Sequence, residues 1–302
     1  MVGRSLSNVR ENGNMKRNNL AGFIFISPWI IGFLLFTGAP VLYSFAISAF
    51  RWNLISSPEF IGFDNYVTMF HDSLFYKSLS ITSIYTLFSV PLQLIVALTA
   101  ALLVNQKIRG AKVFRTMLYL PSIISGVAVA MIWSWMFNPK FGVINQVLGW
   151  FHINGPEWIY NEHWSLPSMI LMSLWSFGGA MIVFLAGLQD IPGYLYEAAE
   201  LDGASRFGKF LHVTLPMLSP SILFNLIMGI ITSFQVFTQA YVMTDGGPNN
   251  STLFFVMYIY QNGFQYFNMG YASALSVVLF VIVFIVTMLQ LKLSKRFVTY
   301  DK

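Results

Sequence analysis

Glu197-Ala198-Ala199-Glu200-Leu201-Asp202-Gly203-Ala204-Ser205, followed by Leu215-Pro216, is one of the few strongly polar stretches in a very apolar chain. Its local signals can be read directly. Pro192 suits the first turn of a helix, because its φ is already helical and its missing N–H would have no partner there anyway. Residues 196–201 are strong helix formers, and Glu197 and Glu200 sit in early turns, where the helix dipole favours negative charge. Gly203 then permits a sharp change of direction. A second short helix is expected from Ser205 onward, carrying Arg206 and Lys209, before Pro216 introduces the next apolar run. The stretch reads as helix–turn–helix lying on a membrane face. The same spacing also fits an ordinary amphipathic connector.

Working outward, the composition sets the solvent. Of 302 residues, 56% are hydrophobic and only 10% charged, against roughly a quarter charged in a soluble domain. Such a chain folds in lipid. The net charge of +5 does not point to nucleic acid, because the basic residues collect in short segments between apolar runs rather than in a patch with interleaved aromatics. The absence of cysteine excludes disulfides, thiolate metal sites and cysteine nucleophiles.

A membrane helix needs about 20 mostly apolar residues. No Asp, Glu, Lys or Arg occurs in residues 18–50, 78–106, 116–139, 163–189 or 210–244, and a sixth run, 246–291, holds a polar loop and then a span from about Met269. The expected fold is therefore all-α, a polytopic membrane protein with six transmembrane helices. A first helix over 19–50 follows an N-terminal segment, 1–18. An outer loop, 51–77, leads to a five-helix core, 78–291, that contains the polar loop 190–216; a tail, 292–302, ends the chain. All Lys and Arg except Arg51, Lys77 and Lys140 fall on one side of this arrangement, so that side, with both termini and the polar loop, is expected to be cytoplasmic. The run from Leu20 is too long for a cleaved signal and reads as an anchored first helix. Residues 245–264 open on Gly246-Gly247-Pro248-Asn249-Asn250 and read as an outer turn.

Uncharged polar residues inside the spans are the informative ones. Thr82, Thr86, Ser89 and Gln93 share one helix face, which suits either interhelical hydrogen bonding or a polar pathway. In the fifth span, Asn225, Thr232 and Gln239 recur every seven residues, and Ser233, Gln235, Phe237 and Tyr241 lie among them. Amides facing lipid would lack partners. Aromatic faces beside amides and hydroxyls suit a sugar, whose C–H faces stack on rings and whose hydroxyls need paired donors and acceptors. Trp175 and the Gly178-Gly179 pair of the fourth span are candidates for the same cavity, the glycines equally for close helix packing.

Other chemistry is missing. Gly203 to Lys209 fits G-x-x-x-x-G-K, but Phe210 stands where a phosphate loop needs Ser or Thr, and a helix precedes it instead of a strand. The four histidines lack metal-ligand spacing. No acid lies within a span to relay protons, and no nucleophile–base set is visible. No cofactor or metal is expected, and the chain is not read as an enzyme.

Glu197-Ala198-Ala199, Asp202-Gly203-Ala204 and Leu215-Pro216 resemble the EAA loop of binding-protein-dependent ABC importer permeases. Further motifs, in order, are similar to the sugar-permease branch of that family, the maltose-type (type I) importers: Phe60 to Tyr66, Arg115-Thr116 through Leu120-Pro121, Trp133 to Asn138, Gly142-Val143-Ile144-Asn145, Gly187 to Pro192, and Tyr241 to Pro248. The resemblance implies a bacterial or archaeal cell-membrane subunit that forms half of a carbohydrate pathway. It also implies its partners: a homologous second permease, a cytoplasmic ABC ATPase dimer that uses the ATP, and an extracytoplasmic sugar-binding protein. Within the loop it implies that Glu197 meets a basic residue of the ATPase, Ala198 and Ala199 allow close approach, and Gly203 makes the turn. The rival expectation is a self-contained carrier or channel, which would need no ATPase.

Overall fold

The structure is a computed structural model and describes residues 23–106 and 110–295. The expected N-terminal segment, both termini, Lys107 and Arg109 lie outside those residues. The chain opens with α1 (Phe23–Ile47), apolar on every side. A short hairpin follows, β1 (Phe50–Arg51) with β2 (Glu59–Phe60), in antiparallel register Phe50 opposite Phe60. Then come α2 (Asp64–His71) and the 33-residue α3 (Ser73–Asn105). At 1.5 Å per residue, α3 is about 50 Å long, well beyond the roughly 30 Å of hydrocarbon, so it tilts or projects.

The middle of the chain uses bent pairs. Helix α4 (Ala111–Ile123) meets α5 (Gly126–Met136) at 94°, after which α6 (Val143–Trp150) forms a short outer helix. Helices α7 (Ser165–Ser176) and α8 (Gly178–Asp190) bend by 46°. The polar loop contributes α9 (Gly193–Leu201). Next, α10 (Arg206–Met217) meets α11 (Ser219–Phe234) at 63°, followed by α12 (Thr238–Met243), α13 (Phe255–Tyr260) and α14 (Met269–Ser294). Counting each bent pair as one span gives six among the described residues.

Three expected spans differ from straight rods, the fourth by the 46° bend between α7 and α8. The third begins at Ala111, and its first part lies nearly perpendicular to its second, because Pro121 tightens the chain into a 3₁₀ turn and Ile124 is extended. The fifth bends at Leu218, between Pro216 and Pro220, where missing N–H donors interrupt the ladder. It breaks again after Phe234: Gln235 ends α11, and Phe237, at φ −136 and ψ −59, is not helical. The seven-residue spacing of Asn225, Thr232 and Gln239 therefore does not define one face. Leu253, Phe254, Phe255, Met257 and Tyr258, expected in an outer loop, are buried. Leu253, Phe254, Phe255 and Met257 are at most 1% exposed, and the Phe255 N–H donates to Thr82 Oγ1 at 2.9 Å.

Two larger cores organise the fold, beside a smaller one around Trp133, Phe137, Trp158 and Met172. One joins α3, α7, α11, α13 and α14 around Phe75, Tyr85, Met169, Phe234, Phe254, Phe255 and Leu275. The other joins α3, α8 and the α10–α11 corner around Ala97, Ala101, Met181, Phe184, Leu188 and Leu218. The Thr82–Gln93 stripe is interhelical glue: Ser233 Oγ donates to Thr86 Oγ1 at 2.9 Å, and Gln93 Nε2 donates to the Ser173 carbonyl at 2.6 Å. At Gly178, an added Cβ would sit 2.9 Å from Tyr119 Cα and 3.0 Å from the Leu118 carbonyl, so its role is close helix approach; Gly179 faces open space.

At the other end of the spans from the polar loop, Asn65 in the Phe60–Tyr66 motif donates to the Ser48 and Phe50 carbonyls, pinning the end of α1. Asp72 caps α3 through the Leu74 N–H at 2.8 Å and accepts hydroxyl bonds from Tyr258 and from Tyr271, the latter at 2.7 Å. Burial pushes the Asp72 carboxyl up, but these donors outweigh it and hold it below the usual carboxylate value. One carboxylate thus ties α3, α13 and α14 together.

Candidate functional site

The polar loop is built by local chemistry. Helix α9 ends at Asp202, and Gly203 adopts the left-handed conformation with φ +75. The Gly203 N–H then bonds the Glu200 carbonyl at 3.0 Å, and the Ala204 N–H bonds the Ala199 carbonyl at 2.9 Å. These two reversed bonds form a Schellman turn, which satisfies carbonyls left over at the helix end. Ser205 starts the next helix by accepting from the Gly208 N–H at 3.1 Å. Lys209 reaches back to Glu200 at 3.1 Å. Glu200 is largely exposed, so this pair orients the two helices and adds at most about 1 kcal/mol.

Only one side of α9 is anchored. Leu195 and Tyr196 pack on the α8 core, and the Tyr196 hydroxyl lies 3.0 Å from Thr214 Oγ1. The outer side is bare: Glu197, Ala198, Asp202 and Gly203 are exposed, and Ala199 and Ala204 are half-buried. Beside them, Leu201 is 90%, Phe207 71% and Tyr194 66% exposed. A short rigid helix therefore presents a small acidic and apolar face. The sequence reading did not single out Tyr194, Leu201 or Phe207; large apolar residues inside so polar a loop were the available signal.

The residues predicted for the pathway divide into three groups. Ser233 is buried and bonded to Thr86. Trp175 packs edge-on against Trp133, centroids 6.1 Å apart, on a small apolar cavity with Val129 and Met136. Of the remainder, Phe237 and Tyr241 come together. Phe237 stacks on Tyr241 at 5.4 Å, and both rings meet Tyr260, at 5.0 and 5.5 Å; Tyr260 stacks on Phe264 at 5.4 Å. This aromatic wall starts beside the break at Gln235–Phe237. Gln235 is exposed and Gln239 half-buried, and neither side-chain amide has a hydrogen-bond partner among the described residues. Tyr260 and Phe264 were missed because they fall in the segment read as a loop. Their spacing of four, matching Phe237 and Tyr241, was the usable signal.

A family model described as "Binding-protein-dependent transport system inner membrane component" matches residues 93–299. Over its whole length the chain is 42% identical to the probable ABC transporter permease protein YesP of Bacillus subtilis, covering 99% of it. It is 37% identical to the sulfoquinovosyl glycerol transport system permease protein SmoG of Agrobacterium fabrum, over 92% of this chain and 91% of that one. It is 34% identical to the arabinooligosaccharides transport system permease protein AraP of Bacillus subtilis, over 92% and 89%. Among solved structures, a chain of a bacterial ABC transporter involved in the import of the acidic polysaccharide alginate superposes with a TM-score of 0.80 at 27% identity, covering 96% of this chain and 100% of that one. A chain of a bacterial alginate ABC transporter in complex with an alginate pentasaccharide-bound periplasmic protein gives 0.80 at 26% identity, over 96% and 99%.

Proposed function

Because the chain belongs to the family of binding-protein-dependent transport system inner membrane components, we propose that it is a permease subunit of an ATP-driven carbohydrate importer, coupled to a cytoplasmic ATPase through Glu197–Ala204. The observation that carries this reading is the bare face of α9, held rigid by the Gly203 turn yet left without cover by its own chain. Burying Leu201 and Phe207 in a partner would contribute about 1.5–3 kcal/mol each. Glu197 would pair with a basic residue of the ATPase, and Ala198, Ala199, Asp202, Gly203 and Ala204 would let the two backbones approach.

In this mechanism the unit holds a second, homologous permease, two ATPase subunits and an extracytoplasmic sugar-binding protein. The polar loop and both termini face the cytoplasm. ATP binding draws the ATPase subunits together, and each docked helix moves with its ATPase. Helix α9 is fixed to the α8 core and α10, so its movement reaches the α10–α11 corner at Leu218. The pathway then switches from inward-facing to outward-facing. Phe237, Tyr241 and Tyr260 stack on sugar rings while Gln235 and Gln239 bond hydroxyls. The relatives whose names specify a cargo carry glycosides or oligosaccharides, which supports that chemistry.

The test uses Glu197→Lys in cells that express the whole transporter. Membrane insertion is expected to be unchanged, with ATPase co-purification and sugar uptake lost. Normal uptake and normal ATPase recovery would defeat the coupling assignment and favour a self-contained carrier. Replacing Gln235 and Gln239 together by Ala is expected to raise the KM for uptake; unaltered kinetics would make this wall packing rather than path.

A further inference from the structure

The right-angle corner between α4 and α5 is left unexplained by the transport reading. If α5 runs steeply through the bilayer, the 94° bend lays α4 nearly in the membrane plane. The helix has three distinct faces. Ala111, Arg115 and Leu118 point inward: Leu118 packs on the α8 core, and an Arg115 guanidinium N–H donates to the Val104 carbonyl at 3.3 Å near the end of α3. Val113, Met117 and Leu120 form a second, exposed apolar face, with Phe114 beside it. Lys112, Thr116 and Tyr119 form a third, cationic and aromatic. An exposed apolar face beside a basic one is the pattern of a helix seated at the headgroup boundary.

The charge around this helix is one-sided. Lys107, Arg109, Lys112 and Arg115 fall within nine residues, and no acid occurs in the sequence between Asp72 and Glu157. Among the described residues, neither Lys112 nor Arg115 forms an ion pair. Arg115 lies on the inward face with its Nε buried, which leaves Lys112 as the exposed cation of α4.

We propose that the Ala111–Ile123 corner is a binding site for anionic phospholipid. The acyl chains cover Val113, Met117 and Leu120, and the headgroup phosphate is held by Lys112 at the basic border of that face. Assignment to the inner leaflet rests on the orientation proposed above. The occupant is a lipid and not a second protein because the border of the face is basic, with no acid beside it in the sequence, and the apolar surface continues onto α5, where Val127 and Met131 are also exposed.

The absence of cysteine makes the test site-specific. The full chain with Met117→Cys, labelled with a fluorophore, is reconstituted into phosphatidylcholine vesicles. These contain either brominated phosphatidylglycerol or brominated phosphatidylcholine, at matched bromine content. Quenching by the anionic lipid is expected to be stronger, corresponding to about fivefold local enrichment per engaged cation, and to weaken with salt. Adding the exposed Lys112→Glu change should bring the two lipids to parity. Equal quenching before that change overturns the proposal, and so does no quenching by either lipid, which would mean protein covers the face. Both leaflets share one composition in these vesicles, so the result does not depend on orientation. Labelling of Gln106→Cys by an impermeant maleimide in intact cells would instead refute the inner-leaflet assignment alone.

Discussion

Gly203 offers a clean measurement of how much transport depends on the shape of the polar loop. At φ +75 it occupies a region that costs an L-residue about 1–2 kcal/mol. No atom lies within 4 Å of an added Cβ, so substitution acts on backbone conformation and not through a clash. If the residue leaves this conformation, the Gly203 and Ala204 N–H bonds to Glu200 and Ala199 are lost as well, at about 0.5–1.5 kcal/mol each. Gly203→Ala should therefore lower the population of the native turn about 5–30-fold. Gly203→Val should do more, because branching makes the left-handed region worse. Gly203→Asn should stay near the parent, since Asn tolerates this conformation. The assay is ATP hydrolysis stimulated by sugar-loaded binding protein, with the transporter in vesicles and inserted protein measured in parallel. Coupling should fall in the order Gly, Asn, Ala, Val at constant insertion. Val equal to Gly, or Asn as poor as Val, would refute the reasoning.

The other predictions concern the scaffold. Thr86→Val removes the bond from Ser233 and should lower thermal stability in detergent by about 0.6 kcal/mol, with ~1.7 as the upper end, leaving the KM for sugar unchanged; a large KM change would place Thr86 on the pathway. Gly178→Ala pushes a methyl into the backbone of residues 118 and 119 and should cost about 1–3 kcal/mol, read as a lower unfolding temperature, whereas Gly179→Ala should be neutral. Asp72 has its carboxyl held below the ordinary value of 3.8. Its contribution is complete above that value and is lost as pH falls through the lower folded one. Thermal stability of the parent should drop in this acidic window, and Asp72→Asn should lack that component of the drop.

The spans were legible because charge is excluded from lipid, and five uninterrupted runs plus Met269–Ser294 account for them. Direction within a span was not legible. Hydropathy does not register angle, so the corners at Ile124 and Leu218 show only as Pro121, Pro216 and Pro220, residues equally compatible with a gentle kink. The segment 245–264 misled because its Gly-Gly-Pro-Asn-Asn opening dominates its composition. The apolar run from Leu253 to Tyr258 is too short to register as a span, yet its burial depends on Thr82, far away in sequence, supplying a partner for the Phe255 N–H. The polar loop was the most legible part, since caps and turns depend on neighbours along the chain, but its acids are not in early turns: none falls in the first turn of α9, and Glu200 sits in its last. The aromatic wall was half legible: Phe237 and Tyr241 are close in sequence, whereas Tyr260 and Phe264 reach them only through the fold.

Helix α1 packs mainly on α14, at the far end of the chain. During synthesis the ribosome completes Ile47 more than two hundred residues before Met269. At 5–20 residues per second the delay is roughly 10–40 s. For that interval the first helix resides in the bilayer as a solitary segment, waiting for a neighbour not yet made. Its apolar residues on every side, Phe25, Trp29 and Phe36 among them, are what such a wait requires. Biogenesis thus closes the molecule as a belt is buckled, first end to last, and a nascent chain that stalls before α14 leaves its leading anchor unfastened.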